Sequence, residues 1–98
     1  MSTLVVGVTA VELLPRNRLR KSFVVQNEDT ANTCFLKRER AATPTVSSTD
    51  HDHRLARETS MAINNDSDGK ESIQDRWTIV CDAANTLVSF FETEDIVR

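Results

Sequence analysis

Apolar and polar positions along the chain alternate in short runs. "TLVVGVTAVELL" (3–14) is a near-continuous apolar segment and reads as one strand, closed by Pro15 and the polar residues that follow. "KSFVVQN" (21–27) alternates with period two, placing Phe23 and Val25 on one face and Ser22, Val24 and Gln26 on the other. "EDTAN" (28–32) is turn chemistry and "TCFLKRE" (33–39) resumes a strand, so 21–39 reads as a hairpin. Residues 40–53 turn to Ala, Thr, Ser, Pro and Asp with Val46 as the lone apolar anchor, which predicts a long, irregular and mobile loop. Further strands are predicted at "ETSMAINN" (58–65), "RWTIVCD" (76–82) and "TLVSFFET" (86–93), with acidic turn residues at 66–72. A helix over 73–91 is disfavoured by the consecutive poor helix formers Trp77 to Val80 and by the turn signal "DAAN".

Composition supports the same class. Val, Ile and Thr make 25 of 98 residues against two Gly and two Pro, a β-branched excess suited to strands. The length suits one domain with one core. The expectation is therefore a single all-β domain over 1–98, an antiparallel β-sandwich or jelly-roll-like barrel of six to eight short strands.

Charge is unevenly placed. Residues 1–49 carry seven Lys/Arg and four Asp/Glu, and 50–98 carry five and eleven, so the halves stand near +3 and −6. Such a split closes intramolecularly or steers association. An acidic chain lacks the footprint of a nucleic-acid binder, and no apolar run approaches a membrane span. No signal peptide is recognised, and Cys34 and Cys81, inside apolar runs, are expected to be buried reduced thiols.

Chemical motifs are sparse. "TDHDHR" (49–54) offers His51 and His53 on one face of an extended chain, too few ligands for a tetrahedral metal site. "NNDSDGKESIQD" (64–75) departs from the calcium-loop pattern at its first, eighth and twelfth places and lacks flanking helices. Ser60, His51 and Asp82 could form a hydrolytic set only if the fold gathered them, and no nucleophile elbow or phosphate-binding Gly loop is present. No enzyme activity, cofactor or metal is expected.

The order of segments is more informative. A strand ending "LLP", an Asn among basic residues, "RKSFVVQN", an "AN" turn, a long loop, "HRLARETSMAI" and finally "WTIVCDAANTLVSFFE" together resemble the small β-sandwich structural proteins of tailed bacteriophages. The resemblance runs from Leu13 to Glu92, departing at Arg57–Glu58, where such proteins often carry a Pro-Gly turn, and in the 40–53 loop. It implies a non-enzymatic virion component, a head decoration or cement protein made in the host bacterial cytoplasm and bound on the capsid surface. The alternatives are a tail, neck or fibre-base component, or a small ligand-binding β-barrel. The implied partners are the major capsid protein and further copies of the chain, with a trimer suggested by lattice symmetry.

Two features are candidates for that contact. Arg16, Arg18 and Arg20 would share one face if extended and, with Lys21, form a cationic ridge suited to partner carboxylates. If Val88 and Phe90 face the core, Leu87 and Phe91 fall on the opposite face, and Phe91 becomes a subunit-contact candidate.

Overall fold

The computed structural model describes residues 2–17, 20–39, 43–64 and 75–94. Eight strands follow in order: β1 (Ser2–Val6), β2 (Val11–Leu14), β3 (Arg20–Asn27), β4 (Cys34–Arg38), β5 (His53–Leu55), β6 (Ser60–Asn64), β7 (Trp77–Cys81) and β8 (Thr86–Glu94). They form two four-stranded sheets, β1-β8-β3-β6 (sheet A) and β2-β7-β4-β5 (sheet B), antiparallel throughout. β1 pairs with β8, β2 with β7, β3 with β6 and β4 with β5, as in one long hairpin rolled so that its two layers face each other. The added pairings β3·β8 and β4·β7 complete the sheets, giving the jelly-roll form of the sandwich.

Alternation sets the inner faces. Phe23 and Val25 of β3 and Val88 of β8 meet Leu36 of β4 and Trp77 and Ile79 of β7 in a core joined by Val6, Leu13, Leu14 and Leu55. Phe23 and Trp77 lie ring against ring at 5.4 Å, the tilted geometry aromatic pairs favour.

Three sequence expectations are corrected. The run 3–14 is two strands in different sheets: the chain turns at Gly7, whose carbonyl accepts the Cys81 amide at 3.0 Å, and both halves keep apolar residues because each faces the same core. The segment 21–39 is not a hairpin, because β3 and β4 lie in opposite sheets and 28–33 carries the chain across the sandwich. A strand-turn-strand pattern looks the same whether the second strand pairs with the first or faces it.

The third correction concerns the cysteines. Cys34 and Cys81 are buried as expected but joined in a disulfide. They sit directly opposite on β4 and β7. The neighbouring pair exchanges a backbone bond, Asp82 N–H to Thr33 C=O at 3.0 Å, so Cys34 and Cys81 occupy the closer, non-hydrogen-bonded site, with Cα atoms 4.0 Å apart.

The loop between β4 and β5 is not a loose excursion over its described part, 43–52. It lies on the outer face of sheet B, with Val46 buried, His51 against the Phe35 ring at 4.7 Å, and a Ser47–Asp50 turn closed by backbone bonds. Glu39 is the anchor. Its carboxylate accepts the Thr45 amide (2.9 Å), the Thr45 hydroxyl (2.6 Å) and the Thr78 hydroxyl (2.5 Å).

Candidate functional site

The cationic ridge does not exist as a ridge. Residues 15–17 are not extended strand, Arg16 is exposed, Arg18 lies outside the described residues, and Arg20 is 1% exposed. A register shift between Arg20 and Ser22 turns the Arg20 side chain inward next to Phe23 and leaves Lys21 exposed. Inside, Arg20 Nε pairs with the Glu92 carboxylate at 2.5 Å, one terminal nitrogen donates to the Asp75 carbonyl (2.9 Å) and the other to the Pro15 carbonyl (2.5 Å). One guanidinium thus ties the Pro15 turn, the entry to β7 and strand β8 together. Arg20 is a structural residue, too deeply buried to meet a partner, whereas Arg16 and Lys21 are exposed.

The same contacts show where the charge split goes. Arg20–Glu92, Lys37–Asp50 (2.6 Å) and Arg38–Asp75 (3.8 Å) each join the basic half to the acidic half within one chain.

Phe91 is on the outer face of sheet A, 40% exposed, with Leu87 beside it at 42%. The whole outer face shares a property that charge counting along the chain conceals. Its positions are Thr3 and Val5 on β1, Leu87, Ser89, Phe91 and Thr93 on β8, Ser22, Val24 and Gln26 on β3, and Ser60 and Ala62 on β6. None is charged, in a chain where 28% of residues are. Phe91, Val24 and Ala62 form one row across three strands, and Val5 stands beside Leu87. The carboxylate that reaches the face is that of Glu28, which accepts the Ser89 hydroxyl at 2.6 Å. Depletion of charge around exposed aromatic and aliphatic side chains is the compositional mark of an interface core. The signal was available in sequence as alternate uncharged positions in four strands, but only the pairing shows that they share one surface.

Sheet B presents different chemistry. A pocket of about 310 Å³ opens between Val8 of the β1–β2 crossover, Phe35, Val80 and the 46–48 turn, with Asp82 at its rim. Among the described residues no group of three or more His, Cys, Asp or Glu is placed to hold a metal ion. His51 donates through Nδ1 to the Ser47 carbonyl at 3.1 Å, while the His53 ring lies 5.6 Å from that of Trp77. Ser60 begins β6 in sheet A and His51 covers the outer face of sheet B, so the sandwich separates two members of the notional hydrolytic set. The calcium-like stretch falls largely at 65–74, outside the described residues.

Burial pushes the Glu39 carboxyl pKa up, but the Thr45 and Thr78 hydroxyls, the Thr45 amide and the Lys37 charge outweigh it and hold the pKa below the usual range. Lys37 is raised by its hydrogen bond and ion pair with Asp50, against a smaller desolvation effect. A lowered carboxyl pKa contributes stability above the unfolded value, near 4.5, and loses it as pH falls through the folded value. Glu39→Gln should therefore melt below wild type at pH 7, by about 1–3 kcal/mol for the lost charge-assisted bonds. The two proteins should converge as pH falls below 4.5 and on through the lower folded value. Thermal melts across that range check it.

Comparison with known proteins returns no matching family model, no curated relative and no similar solved structure.

Proposed function

We propose that the chain is a virion structural protein of a tailed bacteriophage that binds the assembled capsid and stabilises it, as a decoration or cement protein does. The observation that carries the proposal is the uncharged outer face of sheet A with Phe91 and Leu87 exposed upon it. The ordered resemblance of segments supports it, and the jelly roll is a fold on which capsid and lectin domains are built, although a fold alone assigns no function. The mechanism is adhesive. Binding to the assembled lattice and not to free subunits adds its free energy to the lattice. Phe91 supplies the buried anchor, and Arg16 and Lys21 supply rim cations for acidic groups on the major capsid protein. Homo-oligomerisation is part of the proposal, and no catalytic step is.

Occupancy on capsids stripped of the protein tests this. Phe91→Asp should lower affinity by at least about tenfold, the scale of an anchor residue, while shifting stability of the free protein little. Arg16→Ala with Lys21→Ala should lower the association rate and its salt dependence. Full occupancy by Phe91→Asp at limiting concentration would overturn the assignment of this face.

A further inference from the structure

We infer that strand β1 is a dimerisation edge, pairing antiparallel with β1 of a second copy about a twofold axis at Leu4. β1 ends sheet A, and no strand among the described residues pairs with its outer flank. Which backbone groups face that flank follows from the hydrogen bonds. Glu28 N–H donates to Leu87 C=O at 3.0 Å, which turns the polar groups of Leu87, and by alternation those of Ser89, toward β3. Val88 and Phe90 then bond to their β1 partners Leu4 and Ser2, and Thr3 and Val5, opposite Ser89 and Leu87, direct their N–H and C=O groups to the open edge.

Edges are usually blunted, and both edges of sheet B are: β2 carries Glu12 and a register shift, and β5 is three residues long with His53 and Arg54. β1 has neither device. Ser2–Val6 is uncharged, lacks Pro, and keeps unbroken register with β8. It is the kind of edge that accepts another strand.

The second copy is the occupant the edge itself specifies. Ser2–Val6 carries no charged side chain, so pairing it with its own copy sets no like charges against each other along the seam. Twofold pairing about Leu4 sets Thr3 opposite Val5 of the partner and Val5 opposite its Thr3, so the open N–H and C=O groups satisfy one another. Leu4 meets its own copy on the core side, where it already packs against the core, and Val5, 61% exposed, gains a cross-strand neighbour on the outer side. Sheet A becomes continuous across eight strands, doubling the uncharged face. An isologous contact gives a dimer, in place of the trimer that lattice symmetry alone suggested. The inference concerns the free protein and stands or falls apart from capsid binding.

Sedimentation equilibrium and amide hydrogen exchange on the purified wild-type chain, across a concentration series, test it. A concentration-dependent dimer is expected, with Thr3 and Val5 amides gaining protection as it forms while the Leu4 amide, already bonded to β8, changes little. Val5→Lys and, separately, Thr3→Lys should each raise the dissociation constant at least about tenfold while leaving the melting temperature of the dilute monomer unchanged. A monomer at all concentrations, a trimer, or a dimer whose Thr3 and Val5 amides exchange freely would overturn it. Should either variant fail to fold, the wild-type exchange pattern decides alone.

Discussion

Arg20→Ala should destabilise the isolated protein by about 3–5 kcal/mol, the cost of removing one partner from a buried ion pair. The side chain is fully buried and holds three segments distant in sequence, at Pro15, Asp75 and Glu92. Truncation strands two backbone carbonyls and empties the space beside Phe23. Glu92→Gln should cost less, about 1–3 kcal/mol, because Gln keeps an acceptor oxygen and the Glu92 side chain is already 30% exposed. Urea denaturation of the two variants measures both. A loss within about 0.5 kcal/mol for Arg20→Ala, the usual scale for an exposed turn residue, would return it to the surface.

The disulfide is the second large term. Cys34 and Cys81 are separated by 47 residues, and closing a loop of that length restricts the unfolded chain by about 4 kcal/mol on the chain-entropy account. Reduction should therefore lower unfolding free energy by about 2–4 kcal/mol, with the double variant Cys34→Ala, Cys81→Ala losing at least as much. Mass spectrometry without reductant should give a mass two units below that of the reduced chain. Equal masses before and after reduction would contradict the bond. Disulfides are rare in cytosolic proteins, so on the virion proposal the bond closes after the chain leaves the cytoplasm. Alkylation trapping should then find free thiols inside the cell and none on particles.

What the sequence made legible was periodicity. Phe23, Val25, Ile79 and Val88 are core because they alternate with polar or outward residues, and Leu87 and Phe91 fall outward by the same count. What stayed hidden was partnership. Gly7 gave no sign that the 3–14 run changes sheets, and β3 followed by β4 imitated a hairpin across the sandwich. Cys34 and Cys81 looked like isolated core thiols until β4·β7 pairing set them opposite. The arginines misled for a related reason: period-two spacing predicts a shared face only on a strand, and β3 starts at Arg20 with a register shift that turns its side chain inward. Glu58, in the turn before β6, takes the left-handed conformation that favours glycine, φ 54°, which nothing in the residue itself announces.

The most direct test of capsid attachment is the copy number of this chain in purified virions, by quantitative mass spectrometry against the major capsid protein. Decoration predicts hundreds of copies per particle, released when capsids are stripped and restored on adding the chain back. A dozen copies or fewer would move the protein to the tail or neck, and its absence from particles would contradict the virion account altogether.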